Sequence, residues 1–293
     1  MHDVFYFTDV HGCYSLYRAA MDFCMKQDDE CMIIYGGDAC DRGPDGYKIM
    51  KELLDNPRVV YLKGNHEDLF VHAAQAIKKG YNQEIYEDLV WSYLYNEEIK
   101  DYGDKDVQLA LYNGGYQTLH DWMMDGMPYD FVNRINKLPI TFSYGNLDFC
   151  HAGGRYKEFH NIQVAEYEGD FIDQDDFMMA VWDRNYVSHG WVKDRICVFG
   201  HTPTPYLPAA IYGRDKSLRN VHPCCYEDLY GIFQGKKIDM DTGAITSGRL
   251  YVLNCLTMQA YGFTRSENGS LGENGFSGEN GNALVKQFEV IQF

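Results

Sequence analysis

The sequence predicts an α/β fold on three observations. Short apolar strands alternate with amphipathic helices through the first third of the chain. Each of those strands runs into a turn that carries glycine and a polar residue. The turns also recur at a fixed interval: His11 to Asp38 and Asp38 to Asn65 are each 27 residues, about one strand–helix repeat. In open α/β sheets ligands bind at the carboxyl ends of the strands, so these polar turns should converge on one edge.

The first strand is 3–8 (DVFYFT), running into Asp9-Val-His11-Gly12. A helix follows, because Leu16, Ala19, Ala20, Phe23 and Cys24 recur at three- and four-residue spacing. A buried strand at 31–35 ends in Gly36-Gly37-Asp38, and Pro44 is expected to start the next helix, closed by Asn56-Pro57. A third strand, 58–62, leads into Gly64-Asn65-His66-Glu67 and another helix. Residues from about 68 to 137 read as a helical insertion over the site, with a Leu89, Trp91, Tyr93, Leu94 stripe and a turn at Asn113-Gly114-Gly115.

Strand character returns at 140–144 and 146–150, a hairpin about Gly145 that ends in His151-Ala-Gly-Gly. Another apolar strand, 195–199, ends in Gly200-His201-Thr202-Pro203, and late strands are expected at 248–256 and 258–264. The segment of about 266–282 holds three Glu-Asn-Gly near-repeats and reads as a loop or hairpin tip. A final edge strand is expected within 283–293. The whole, 1–293, is taken as one domain.

Composition bounds the function. With 45% hydrophobic and 24% charged residues the chain is globular, and it has the length for a full core. Its net charge of −17 repels phosphate backbones and argues against a general nucleic-acid binder. No apolar run approaches the roughly 20 residues of a membrane span, and the N-terminus lacks the pattern of a secretion signal, so a cytoplasmic protein with no membrane partner is expected. The nine cysteines form no CxxC pair and are read as buried thiols. Nothing in the pattern marks a subunit interface, and a monomer is the expectation.

The chemistry lies in the turns. Asp9 and His11 stand two apart at a strand end, Asp38 offers two oxygens that could bridge two cations, and Asn65 offers a neutral carbonyl. His151 and His201 add nitrogens at two further strand ends. This mixed O/N set suits Mn²⁺, Fe or Zn²⁺ better than Ca²⁺. Five strand ends each deliver a ligand type, and that combination carries more than any one of them.

The blocks Asp9-Val-His11-Gly12, Gly37-Asp38-Ala-Cys-Asp41-Arg42-Gly43, Gly64-Asn65-His66-Glu67, His151-Ala-Gly and Gly200-His201-Thr-Pro resemble the calcineurin-like metallophosphoesterases. Within these they are similar to the phosphoprotein phosphatase branch, especially its small bacterial and phage-type serine/threonine phosphatases. The match runs in family order over about 3–205 and is weak in the C-terminal 90 residues. The resemblance implies a four-layer fold, a β-sandwich flanked by helices, with two divalent ions, Mn²⁺ first. It implies Asp9, His11 and Asp38 on one ion, and Asp38, Asn65, His151 and His201 on the other. A hydroxide shared by the ions would be the nucleophile, His66 the general acid, and Asp41 its orienting partner. Arg42 and a second arginine would grip the phosphoryl group. Arg184, in Val-Trp-Asp-Arg, is chosen for the latter over Arg155. His2, His72, His120, His160, His189 and His222 match no block.

Two small departures touch no ligand: Thr8 precedes Asp9 where glycine or serine is commoner, and the fourth block reads His-Ala-Gly-Gly. The expected substrate is a phosphorylated protein or a small phosphoester. The rival within enzymes is symmetrical cleavage of dinucleoside tetraphosphates or another nucleotide phosphohydrolysis. That sister branch tends to replace the aspartate of Asp-Arg-Gly and to read Asn-His-Asp, whereas Asp41 and Glu67 stand here. An inactive metal-binding scaffold is the third reading, opposed by a complete set of ligands and acid.

Overall fold

Val4–Phe7 (β1) is buried along its length, and its side chains divide by the two-residue period of a strand. Phe5 and Phe7 join a core shared with helices. Val4 and Tyr6 face the other way, into a second core between two sheets. In the computed structural model, residues 2–80, 104–153, 164–166, 174–184, 186, 195–204, 231–232, 237–265 and 286–289 are described.

Two six-stranded sheets result. The first joins β1 to β2 (Met32–Tyr35), β3 (Val59–Tyr61), β10 (Arg249–Asn254), β11 (Gln259–Thr264) and β12 (Lys286–Glu289), in the order β12-β11-β10-β1-β2-β3. The second holds β4 (Pro139–Tyr144), β5 (Leu147–Cys150), β6 (Val164–Glu166), β7 (Ile196–Phe199), β8 (Gly231–Ile232) and β9 (Lys237–Asp239), in the order β6-β4-β5-β7-β9-β8. β1, β2 and β3 run parallel, and so do β5, β7 and β9. Parallel strands put their carboxyl ends at the same edge, and this is what gathers the site.

Between the sheets Tyr6 stacks on Phe149 at 5.3 Å, with Ile34, Leu147, Val198, Ile238 and Leu253 around them. The outer face of the first sheet is covered by α1 (Tyr14–Gln27), α2 (Gly46–Asp55) and α3 (Asn65–Gly80). Beyond these come α4 (Lys105–Tyr112), α5 (Tyr116–Met124) and α6 (Tyr129–Asn136), all packed on α3. On the second sheet α7 (Gln174–Trp182) packs against β4, and a short α8 (Ala244–Ser247) precedes β10. A mixed α/β sandwich flanked by helices is the fold that the sequence predicts.

Some details differ from expectation. Pro44 lies in a turn, and α2 begins only at Gly46. The Asp45 amide donates to the Gly12 carbonyl at 3.3 Å, which ties this stretch to the first loop before the helix can start. α3 begins at Asn65 itself, so Asn65 and His66 stand in its first turn. The C-terminal strands form the antiparallel half of the first sheet, with β12 at its edge. β6, β8, β9 and α7 have no counterpart in the sequence reading. The Leu89–Leu94 stripe and the Glu-Asn-Gly repeats lie outside the described residues. Among the described residues no helix is long and apolar enough to cross a membrane, and the seven described cysteines are buried and free.

Candidate metal centre and catalytic site

Six strands end at one place. β1 delivers Asp9 and His11, β2 delivers Asp38, and β3 leads into Asn65 and His66. β5 delivers His151 and β7 delivers His201; β9 brings Asp241. All eight side chains are buried, none more than 4% exposed.

The loops that carry them are tightly wound. Asp9, His11, Asp38, Asp41, Arg42 and His201 all have positive φ, between 43° and 71°, six of the eight non-glycine residues so placed among those described. That conformation costs about 1–2 kcal/mol per residue for an L-amino acid, so the surroundings must impose it. Backbone bonds do so. The amides of Asp9, His11 and Gly12 donate to the carbonyls of Gly37, Asp38 and Ala39 at 2.9–3.0 Å, zipping the first loop to the second. Gly37 (φ +99°) lies where a Cβ would fall 2.6 Å from the Gly64 nitrogen, and one on Gly200 would strike the Asp9 carboxylate. The glycines flanking the ligands serve this close approach.

Three imidazoles are fixed by the same device. The Nδ1–H of His11 donates to the Cys40 carbonyl (2.9 Å), that of His151 to the Gly36 carbonyl (2.8 Å), and that of His66 to Asp41 Oδ2 (2.7 Å). Each Nε2 is thereby turned to the centre. Asp38 stands among them: Oδ2 is 3.5 Å from His11 Nε2, Oδ1 is 3.3 Å from His151 Nε2, and Oδ1 accepts from the His66 amide at 3.0 Å. Two donor groups form around it, His11–Asp38–His66 and Asp38–His151–His201, each with its ligand atoms within 4.8 Å of one another. Asn65 Oδ1 is 3.1 Å from His151 Nε2. Asp9 is turned differently, taking the Thr8 hydroxyl at 2.5 Å and the His201 amide at 3.1 Å. The donor group around His11 and Asp38 thus also takes in His66.

The electrostatics call for cations. Burial pushes the Asp38 carboxyl up, but His151, His66 and His11 outweigh it and hold the group well below the usual carboxylate range. His151 responds in kind: burial alone would lower it, yet Asp38 drives it up to about 10, and its Nε2 faces two acceptors. Burial and the neighbouring Asp241 push Asp9 well above the ordinary value. Asp241 is itself raised to about 6, chiefly by burial. His201 is lowered to about 2 by burial and then by His151 and Arg184, and neither of its ring nitrogens has a hydrogen-bond partner. A buried, neutral imidazole with its one ring lone pair free beside crowded carboxylates fits a divalent ion.

Behind Asp38 lies Glu67, fully buried. Its carboxylate accepts the amides of Asp38, Ala39 and Gly64, each at 2.8 Å, and the Tyr61 hydroxyl at 2.7 Å. It holds the Asp38 loop in its left-handed turn. The substitution Glu67→Gln puts an NH₂ group against amide donors, and each buried donor left unpaired costs roughly 1–3 kcal/mol. Urea unfolding should show about 2–3 kcal/mol lost; an unchanged midpoint would mean that the loop needs no such anchor.

Both arginines singled out in the sequence are exposed. Arg42 forks over two rings, Nη1 donating to His11 Nε2 and Nη2 to His66 Nε2, both at 2.9 Å. Arg184 donates from Nη1 to the His201 carbonyl at 3.1 Å. It follows α7, whose Trp182 indole N–H donates to Asp68 on α3 at 3.3 Å. Arg155, His160, His189 and His222 lie outside the described residues. His2 pairs at the surface with Asp28 and Glu30, His72 lies on α3 near Asp68 and Asp106, and His120 pairs with Asp121, all away from the centre.

The sequence reading missed Asp239 and Asp241, which sit at the carboxyl end of β9 in Asp-Met-Asp-Thr-Gly. The strand-end rule that finds Gly37-Asp38 would have found this carboxylate–glycine turn too.

A two-sheet sandwich with histidines and carboxylates at parallel strand ends defines a metallophosphoesterase. The chain belongs to the calcineurin-like phosphoesterase family, whose profile matches residues 3–222, and is a hydrolase acting on phosphate esters. It is similar to the asymmetrical bis(5'-nucleosyl)-tetraphosphatase PrpE of Oceanobacillus iheyensis, at 21% identity over 218 residues, 67% of this chain and 75% of that protein. It is also similar to the symmetrical bis(5'-nucleosyl)-tetraphosphatase of Buchnera aphidicola subsp. Acyrthosiphon pisum, at 27% identity over 89 residues, which span 30% of this chain and 32% of that protein. The fold of a solved structure provisionally assigned as a diadenosine tetraphosphatase is alike, with a TM-score of 0.50 over 91% of this chain and 95% of that one, at 14% identity.

Proposed function

We propose that the protein is a metal-dependent phosphomonoesterase of the phosphoprotein phosphatase kind, acting on serine and threonine phosphates. The observation that carries this is the His66–Asp41 pair, bonded at 2.7 Å directly beside the Asp38-centred donor groups. A poor leaving group such as a serine alkoxide needs a proton, and a histidine held by a carboxylate supplies one.

Asp9, His11 and Asp38 would hold one divalent ion, and Asp38, Asn65, His151 and His201 a second. When bound, the ions supply Lewis acidity and neutralise charge on the phosphoryl oxygens. Arg42 and Arg184, both exposed above the buried floor, bind those oxygens. A phosphate dianion draws the Arg42 fork away from the two rings, which leaves His66 Nε2 to carry a proton towards the leaving oxygen. Burial tends to lower the His66 value, but Asp38 and Asp41 outweigh it and leave the ring above its ordinary pKa. Asp41 keeps the ring oriented through Nδ1. Mn²⁺ is the ion proposed first.

The named relatives support a second reading, hydrolysis of dinucleoside tetraphosphates. Against it stand Asp41 on the acid and Glu67 under the Asp38 loop. The protein reconstituted with Mn²⁺ should cleave p-nitrophenyl phosphate and a phosphoserine peptide, with Asp38→Asn as the inactive control. Faster cleavage of diadenosine tetraphosphate than of either monoester would give the second reading precedence. The cytoplasm and a monomeric state are proposed with it.

A further inference from the structure

The dyad formed by Asp41 and His66 is supported from a place the strand-end motifs do not reach. Asp41 and Arg42 are consecutive residues with φ of +67° and +65°. The amides of both are taken up by the helical insertion. The Asp41 amide donates to Thr118 Oγ1 at 3.0 Å, and the Arg42 amide donates to the Gly114 carbonyl at 2.9 Å. Thr118 is 1% exposed, in the first turn of α5, and Gly114 lies in the turn between α4 and α5. Gly114 has φ +91°, and a Cβ there would lie 3.1 Å from the Arg42 nitrogen, so this turn is fitted to the arginine backbone. Asp41 itself uses only Oδ2, on His66; Oδ1 is buried with no hydrogen-bond partner. Its carboxylate therefore takes its direction from its backbone, and the backbone takes its direction from α5.

We infer that Thr118 is a positioning residue, which through the Asp41 amide sets the angle at which Asp41 presents His66 to the leaving group. The inference rests on the general-acid reading above. Thr118→Val keeps the side-chain shape and removes the acceptor, whereas Thr118→Ser keeps the acceptor. A misdirected acid should matter in proportion to the basicity of the leaving group. It matters strongly for phenyl phosphate and little for p-nitrophenyl phosphate, whose leaving group needs scarcely any proton.

The test measures kcat on both substrates for the Mn²⁺-reconstituted wild type, Thr118→Val, Thr118→Ser and His66→Asn. Thr118→Val should lose about 10- to 100-fold on phenyl phosphate, the scale of a small misplacement of a catalytic group. On p-nitrophenyl phosphate it should lose only a few-fold, and Thr118→Ser should recover most of the difference. Equal losses on the two substrates, or a serine variant as impaired as the valine one, would overturn the inference. If His66→Asn shows no leaving-group dependence, the general-acid reading fails instead. Thr118 is then judged by the downfield imidazole Nδ1–H resonance of His66, which must shift or broaden in Thr118→Val. An unmoved resonance would also overturn it.

Discussion

Asp38→Asn will abolish turnover, lowering kcat by about 10³-fold or more, the scale seen when preorganised charge stabilisation is removed from an active site. The reason is the position of this carboxylate at the meeting of everything else. It belongs to both donor groups. Its Oδ1 fixes the first turn of α3 through the His66 amide, and its charge drives His151 up and keeps His66 above its ordinary value. Asparagine preserves the shape and one oxygen but removes the charge. In the metal-free protein, His151 should then titrate well below the about 10 it shows beside the carboxylate. With Mn²⁺ present, affinity should fall by at least about 100-fold, since even outer residues of such centres control 10- to 100-fold. Calorimetric Mn²⁺ binding and p-nitrophenyl phosphate turnover check both halves. A variant that binds Mn²⁺ normally and keeps a tenth of its activity would contradict a shared, bridging role for Asp38.

His66→Asn should reduce kcat on phenyl phosphate by about 10²–10⁴-fold, the usual contribution of a general acid, while Mn²⁺ affinity changes much less. The sign of the pH effect follows from the protonation state. Asp38 and Asp41 raise the ring above its ordinary value despite its burial. Activity on poor leaving groups should therefore fall as pH rises through that raised pKa, where the acid loses its proton. In His66→Asn this alkaline limb should disappear. The structure adds a particular alternative, because His66 lies within the donor group of His11 and Asp38. If the variant loses Mn²⁺ affinity as severely as Asp38→Asn does, His66 is a ligand and the acid lies elsewhere.

The parts of the site that are legible in the chain are those whose chemistry is local. Asp38 follows a strand and two glycines, His151 and His201 each follow a strand, and parallel pairing brings such ends together whatever the intervening segments are. Arg42 and Asp41 are legible because they share one loop with Asp38. What cannot be read is whatever depends on contacts between distant segments. Thr118 meets Asp41 across 77 residues, and nothing in an isolated threonine on a helix announces that bond. Asp241 looks like any turn-forming aspartate until β9 is seen beside β7, where burial and Asp9 give it its setting. Glu67 reads as a motif residue, yet its four hydrogen bonds with the Asp38 loop, Gly64 and Tyr61 emerge only when β2, β3 and α3 are assembled. Nor can the bonds of Asp9 be read: its carboxylate accepts the neighbouring Thr8 hydroxyl and the amide of His201, 192 residues away.

The central claim is that these donors form a centre for two divalent ions on which phosphoester hydrolysis depends. The most direct measurement titrates Mn²⁺ into chelator-stripped protein, following bound metal per chain and p-nitrophenyl phosphate turnover in the same samples. Two ions per chain are predicted, with turnover absent from the stripped protein and rising as the second ion binds. Full turnover in excess chelator with no metal bound, or saturation at a single ion, would contradict it.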